Sequence, residues 1–334
     1  GHGSHQINLV AMITVWYFMT HIVGGAEVVS EKVSRSAFIL YLFFINMGAA
    51  HHLMSDPAVS AGWRLWNTSY AAYGAVIASM IHAFAIPAGI EAGRRKRGKG
   101  HGLFGWLWSA PWKDPGFSAT VFSIILFGFL GGITGVIMGQ MQLNMTWHNT
   151  FATVGHFHGT VAVGTTLAFM GLVYYVIRLM FMKEWVGKLA ATVQPYLYAG
   201  AMGLTVLIMM YLGLLYGIPR RHPSVMNIPG TEFSFSAAQP LFAIFGVAAI
   251  FAVLGGAVFL AVAVISLLVG DDIKPTTPVS ETIADGAGEG GKNEKPVHLY
   301  SMRGTFIITL IFLGAFIATY ALNWFLLAGL WEIG

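Results

Sequence analysis

The sequence contains no cysteine and very little charge. Cysteine is absent from all 334 residues, which excludes disulfide bonds, thiolate metal sites and cysteine nucleophiles. Only 10% of the residues are charged, against about 25% in an average soluble domain. Hydrophobic residues make up 56% of the chain and the mean hydropathy is +0.68, which excludes a soluble enzyme and a disordered chain. The composition predicts a polytopic membrane protein.

Eight apolar stretches are long enough to cross the hydrocarbon as helices, which takes about 20 residues each. They fall at residues 5–24, 36–54, 67–90, 117–140, 151–181, 193–217, 236–270 and 303–330. We therefore predict an all-α fold, a polytopic transmembrane helix bundle that forms one membrane-embedded domain over residues 1–334. Residues 271–302, rich in Gly, Pro and Thr, are expected to be a flexible cytoplasmic linker. The sequence starts on Gly1-His2, with no signal peptide and almost inside the first span, so we expect preceding helices in the same subunit or in another chain.

The basic residues orient the predicted spans. With strictly alternating helices, 15 of the 18 Lys and Arg residues fall on one side, including the run Arg94 to Lys99. The positive-inside rule makes that side cytoplasmic. The basic run also fits a nucleic-acid patch, but beside lipid we interpret it as a topology anchor and expect no nucleic-acid partner.

Five histidines share one depth near the outer face in this topology. Their positions are His2 on span one, His51 and His52 at the end of span two, and His156 and His158 at the start of span five. A lone membrane histidine is often only hydrogen-bonded to a neighbouring helix. Five at one level indicate a functional site, because ionisable residues are costly at membrane depth and neutral imidazole is a common metal ligand.

The spacing of the histidines separates their roles. His156 and His158 are two residues apart, which is about 200° around a helix, so they cannot share a metal. Each could be the axial ligand of its own macrocycle. His2, His51 and His52 would suit a three-imidazole site for copper or iron. The pattern predicts two hemes and one non-heme metal.

These motifs resemble subunit I of the heme-copper oxidase superfamily. The resemblance rests on Val154-Gly155-His156-Phe157-His158, on His51-His52 followed by Asp56-Pro57, and on Gly1-His2. Three further segments are similar to its B-type branch: Trp147-His148-Asn149-Thr150, Gly102-Leu103-Phe104-Gly105-Trp106 and Pro219-Arg220-Arg221. The similarity extends over the whole chain but covers only the family's last eight helices.

The resemblance implies a role for each matching residue. His156 would be the axial ligand of the high-spin heme, and His158 would be one ligand of the low-spin heme. A second polypeptide or an upstream segment would supply the other low-spin ligand. The second metal would be held by His2, His51 and His52. The heme propionates would be bound by Arg220, Arg221, His148 and Asn149, although the arginine pair also fits a plain surface charge pair.

One departure from the family bears on the substrate. Oxygen-reducing members carry a tyrosine one helical turn after the first metal-binding histidine, whereas this chain has Gln6. Glutamine can neither be oxidised to a radical nor deliver a proton. We therefore predict a membrane-bound nitric oxide reductase, with Gln6, His2, His51 and His52 at the catalytic centre, and keep an oxygen reductase as the alternative. His5, at i+3 from His2, could supplement a ligand or simply face water.

A proton path is expected on the cytoplasmic side of this centre. Tyr17, Thr14, Ser79 and His82 resemble the family's single channel in the B-type branch, but Ile13 replaces a tyrosine of that channel. Hydrogen bonding between helices is the alternative reading of these residues. Two other classes remain: a bis-histidine electron carrier, which has no use for His2, His51 and His52, and a transporter, which would show repeated halves.

The expected setting is the cytoplasmic membrane of a prokaryote. The chain would cross that membrane several times, contact lipid and place the binuclear site towards the outer face. The resemblance implies an electron-donating subunit with a binuclear copper site or a cytochrome c domain. The sequence does not decide the heme type or the choice between copper and iron.

Overall fold

The computed structural model describes residues 2–48, 53–55, 57–221, 235–273 and 302–330, with the side chains of residues 2–6 and of several residues beyond 315 left aside. Eight long helices run in the order α1 (His2–Ile22), α2 (Glu31–Met47), α3 (Ala61–Lys96), α4 (Pro115–Met138), α5 (Phe151–Leu179), α6 (Lys188–Tyr216), α7 (Ser236–Val269) and α8 (Arg303–Leu330). Two short helices, Gly105–Trp108 and Met141–Trp147, lie between them. Within the described ranges there is no β-strand, so the all-α prediction is confirmed there.

Each predicted span coincides with one of these helices, but fewer of the helices meet the length and hydropathy expected of a membrane span. Among the described residues, five helices, α3 to α7, are long and apolar enough to cross a membrane by length and composition. The described apolar parts of α1 and α8 are Ile7–Ile22 and Arg303–Ala315, and α2 has 17 residues. The count of eight spans therefore stays a prediction. The predicted linker also stays one, because most of it lies outside the described residues.

Local sequence signals explain where the helices begin and end. Ser30 caps α2, and its hydroxyl accepts the Val33 N–H at 3.4 Å. Asp114 caps α4, accepting the Phe117 N–H at 3.0 Å, and Pro115 follows at the first helical position. Gly217 ends α6 in the left-handed region at φ +60°, which turns the chain back towards the start of α5.

Glycines let α4 and α5 approach closely. A Cβ on Gly159 would lie 2.5 Å from the Leu130 carbonyl oxygen, and one on Gly131 would lie 2.9 Å from the Thr160 side chain. Both contacts fall where the helices loosen into π-helical turns, at Phe127–Ile133 and His158–Thr165. Small residues at helix crossings are typical of membrane bundles, and single π-turns often mark functional sites.

The basic run after α3 is tied to neighbouring loops. Arg94 donates to the Trp106 carbonyl at 2.8 Å and also to the Ser109 carbonyl. Arg95 donates to the Gly102 carbonyl at 2.7 Å, and Arg97 donates to the Gly25 carbonyl at 2.6 Å. The three arginines of the basic run therefore hold the loops at this end of the bundle through hydrogen bonds, in addition to any role as a topology anchor.

A buried carboxylate joins α3 to α8. Glu91 is fully buried and forms an ion pair with Arg95 at 2.7 Å. Its oxygens also accept the N–H groups of Gly304 at 3.2 Å and Thr305 at 2.6 Å, together with the Thr305 hydroxyl at 2.7 Å. Glu91 thus satisfies orphan donors at the start of α8, where negative charge is favoured.

Candidate functional site

His156 points from α5 towards α4. Its Nδ1 lies 2.9 Å from the Thr134 hydroxyl oxygen, and that hydroxyl lies 2.6 Å from the Leu130 carbonyl. A carbonyl cannot donate, so the single hydroxyl hydrogen is used there and the oxygen must accept the Nδ1–H of His156. In the neutral imidazole, Nε2 of His156 then carries the lone pair, which is the form that binds a metal.

His158 reaches the same state through its own helix. Its Nδ1 lies 2.8 Å from the Val154 carbonyl one turn earlier, so Nδ1 carries a hydrogen, and in the neutral imidazole the lone pair is on Nε2. His156 lines a cavity between the helices and His158 does not. The two imidazoles therefore lie on different sides of α5, as their spacing predicts.

The cavity beside His156 encloses about 240 Å³. Its walls come from α1 to α5, and they are mostly apolar, with Asn8, Ser79 and Thr160 among the few polar groups. Five glycines line it: Gly48, Gly131, Gly132, Gly135 and Gly139. A Cβ on Gly135 would lie 3.1 Å from the His156 ring, so the bare backbone gives the imidazole room.

The predicted propionate-binding residues meet at one end of α5. The Arg220 N–H donates to the Asn149 carbonyl at 2.8 Å, and Phe151 donates to the Ile218 carbonyl at 2.8 Å. Asn149 adopts φ +60°, a left-handed conformation that asparagine tolerates better than most residues. His148 and Arg221 are exposed beside this pairing.

Two buried donors at this end have no acceptor among the described residues. They are the Arg220 Nε and the Trp147 Nε1. Trp147 is 1% exposed and its carbonyl accepts the Thr150 N–H at 3.0 Å, next to the Arg220 pairing. A buried unpaired donor is costly, so an acidic group such as a heme propionate fits this position.

The chemistry of these residues therefore fits heme. The side chains predicted to hold the second metal are not among those that the structure describes. His156 would supply a nitrogen for the iron, the glycine wall would leave room beside it, and the unpaired donors of Arg220 and Trp147 would bind carboxylates. Among the described residues no group of three potential metal-binding side chains comes together. Residues His51 and His52 fall outside the described residues, as do the side chains of His2, His5 and Gln6, so the predicted metal set is not tested.

Polar side chains of α1, α2 and α3 form two hydrogen-bonded groups, and Ser79 of the second group lines the cavity. The Tyr17 hydroxyl lies 3.0 Å from the Ser34 hydroxyl and 3.0 Å from His82 Nδ1. The Tyr41 hydroxyl donates to the Ser79 oxygen at 2.6 Å. Three of the four predicted proton-path residues, Tyr17, Ser79 and His82, thus lie in this region.

Thr14 is placed differently. It is exposed, and its hydroxyl donates to the Val10 carbonyl of its own helix at 2.8 Å. The structure does not bring it together with the other three residues.

Several residues at the site were not singled out from the sequence. Ser34 and Tyr41 occupy buried positions of α2 at the spacing i and i+7, with Ala37 between them. A search for hydroxyls on the apolar face of a span would have found them. Nothing local indicates Thr134, and the motif that contains Trp147 gives no role for its indole, because the significance of both comes from contacts with other elements.

Comparison with known proteins identifies the family. The profile described as "Cytochrome C and Quinol oxidase polypeptide I" matches residues 1–254. The chain is similar to "Cytochrome c oxidase subunit 1" of Thermus thermophilus, with 31% identity over 231 residues that cover 69% of this chain and 39% of the relative. The protein of the same name from Cereibacter sphaeroides is 30% identical over 181 residues, 52% of this chain and 27% of the relative.

A solved structure agrees on the fold. A heme-copper terminal oxidase dimer determined by cryo-EM superimposes with a TM-score of 0.74 at 23% identity, over 97% of this chain and 55% of that one. The chain spans about two fifths of the length of the first curated relative and about half of the solved chain. On the strength of the profile match, the chain belongs to the subunit I family of the heme-copper oxidases.

Proposed function

We propose that the chain is the catalytic portion of a membrane-bound respiratory reductase whose substrate reacts in the cavity beside His156. The observation that carries this is the Thr134 hydrogen bond, which leaves His156 Nε2 with a lone pair at an apolar, glycine-walled cavity. Such a nitrogen could hold the iron of a heme, and the heme would supply a place where a small gas reacts.

The residues assigned to the cofactors are those of the resemblance. His156 would hold the high-spin heme and His158 the low-spin heme, whose other ligand would come from outside this chain. Arg220 and Asn149, with His148 and Arg221, would bind propionates. The second metal, copper or iron, would be held by His2, His51 and His52. When bound, the high-spin heme and this metal supply the electrons for reduction of the gas.

Nitric oxide is the proposed substrate because of Gln6. Reduction of nitric oxide follows 2 NO + 2 e⁻ + 2 H⁺ → N₂O + H₂O, which two reduced metals can complete without a side-chain radical. A glutamine at this turn cannot form such a radical. The contribution of the protein is to orient the metal-binding imidazoles, to exclude water with an apolar wall and to deliver two protons.

Dioxygen reduction is the second candidate function. The observation that favours it is that curated relatives, including those from Thermus thermophilus and Cereibacter sphaeroides, are named cytochrome c oxidase subunit 1. This chemistry needs four electrons. Because Gln6 cannot be oxidised, an oxidisable side chain elsewhere would have to take part.

The setting of the protein belongs to the same proposal. We assign the chain to the B-type branch on Trp147-His148-Asn149-Thr150 and Pro219-Arg220-Arg221. We also assign the chain to the cytoplasmic membrane of a prokaryote, and the bias of the basic residues supports an orientation with the site towards the outer face. An electron-donating subunit and preceding helices would complete the enzyme.

The purified, reduced complex tests the proposal directly. Nitric oxide is supplied without oxygen, oxygen is supplied separately, and consumption is followed with an electrode while N₂O is quantified. We expect rapid loss of nitric oxide, one N₂O for every two NO, and slow oxygen uptake. Fast oxygen reduction with little N₂O would refute the nitric oxide assignment in favour of the second candidate.

A further inference from the structure

The buried face of α2 carries two hydroxyl groups. Its buried residues are Ser34, Ala37 and Tyr41, at the spacing i, i+3 and i+7 of one helix face. Seven residues of helix rise about 10 Å, so the two hydroxyl-bearing residues lie at different depths. An inward polar face is unexpected on a helix whose other sides expose Ile39, Leu42 and Phe43.

The Ser34 end of this face joins three helices. Ser34 of α2 lies 3.0 Å from the hydroxyl of Tyr17 on α1, and that hydroxyl lies 3.0 Å from Nδ1 of His82 on α3. Exposed charged residues, Glu31 and Arg35, surround the first turn of α2 below Ser34. The Ser34 end of the buried face of α2 is therefore close to the aqueous side.

The upper end reaches the cavity. Tyr41 is 3% exposed and its hydroxyl donates to Ser79 at 2.6 Å. Ser79 lines the same cavity as His156. A proton held by this pair therefore has access to the space where the proposed reaction takes place.

Helix α1 offers no comparable route above Tyr17. Its inward residues there, Ile13 at 1% exposed and the fully buried Met12, are apolar. Thr14 faces outward. Among the described side chains of α1, a proton that arrives at Tyr17 finds no further inward-facing hydroxyl before the cavity, whereas Tyr41 and Ser79 lie on the neighbouring helices.

His82 lies between the two pairs. Its Nδ1 contacts the Tyr17 hydroxyl, and its ring stacks on Tyr41 with the ring centres 5.5 Å apart. Its Nε2 is buried and has no hydrogen-bond partner in the described part of the chain. An imidazole takes up a proton at one nitrogen and releases a proton from the other, so His82 can pass protons between the pairs.

We propose that Ser34 and Tyr41 of α2 complete the predicted path of Tyr17, His82 and Ser79, so that protons reach the cavity beside His156 across α2. The inference rests on the proposed function, because that reaction consumes protons in this cavity. Each proton that enters at Ser34 displaces one from His82 Nε2 towards Tyr41, and Tyr41 passes one through Ser79. No electron moves, and each group returns to its starting state. Rotation of the imidazole or one water molecule closes the step between the stacked rings.

The test uses the purified complete complex with Tyr41→Phe. This change removes the hydroxyl and keeps the ring that stacks on His82. Tyr174→Phe is the matched control, because Tyr174 is fully buried and its hydroxyl hydrogen-bonds Gln194 at 3.1 Å, away from the cavity. Proton uptake is followed with a pH-indicator dye after reduced complex is mixed with nitric oxide or oxygen, and carbon monoxide difference spectra report on the heme site.

We expect Tyr41→Phe to slow proton uptake at least tenfold and to leave the carbon monoxide spectrum unchanged, while Tyr174→Phe matches the wild type. Equal proton uptake in both variants would overturn the route while leaving the proposed function standing. A wild-type complex that binds no carbon monoxide would overturn the proposed function and the route with it. Should Tyr41→Phe not assemble, Ser34→Ala applies the same test: slowed uptake supports the route and unchanged uptake overturns it.

Discussion

The hydrogen bond between Thr134 and His156 is the most direct target for mutation. Thr134→Val replaces a hydroxyl with a methyl group of similar size, so the packing against α5 is kept. The change leaves His156 Nδ1–H without the acceptor that now lies 2.9 Å away. The imidazole is then free to rotate or to move its hydrogen to Nε2, which would block metal binding by that nitrogen.

The expected size of the effect follows from the loss of one buried acceptor. An unsatisfied buried donor costs about 1–3 kcal/mol. Loss of the outer partner of a metal-binding histidine typically lowers metal affinity roughly 10- to 100-fold. Both estimates predict that the high-spin heme proposed at His156 is retained less well, while the low-spin heme proposed at His158 should be unaffected and would serve as an internal standard.

The assay measures the ratio of carbon monoxide-binding heme to total heme in the purified complex. Thr134→Ser keeps a hydroxyl and should behave like the wild type. Thr120→Val is the matched control, because this fully buried hydroxyl in the same helix donates only to the Gly116 carbonyl at 2.8 Å. An unchanged ratio in Thr134→Val would refute the reasoning, and so would an equal loss in Thr120→Val.

Three further changes test how the fold positions this site. Glu91→Ala should lower the thermal midpoint and expose the start of α8 to protease, since it leaves backbone donors of α8 unpaired, and Glu91→Gln should do so less; equal behaviour of the two would count against the clamp. Gly213→Ala should reduce the folded yield because its Cβ would overlap the Ala152 backbone, while Gly200→Ala in the same helix has open space and should be neutral. Burial raises the pKa of Asp114, although backbone N–H groups oppose the shift, so the charged form is the disfavoured one in the folded chain. The wild type should therefore lose stability relative to Asp114→Asn as the pH rises through that pKa, and parallel melting curves across that pH range would contradict this.

The sequence alone reaches far into the fold because membrane helices are specified locally. Hydrophobic length and low charge predicted a helix at each of the eight positions. The two-residue spacing predicted that His156 and His158 face different sides of α5, and only His156 lines the cavity. The roles of His2, His51 and His52 stay predictions, because these side chains lie outside the described residues.

What the tertiary structure decided are contacts between helices that are distant in the chain. Thr134 and His156 are 22 residues apart, and Tyr41 and Ser79 are 38 apart. Such pairings depend on the depth and angle at which helices cross, and those depend on close approaches such as that of Gly159 to Leu130. Periodicity tells which face of a helix turns inward, and only packing determines which residue of another helix meets it there.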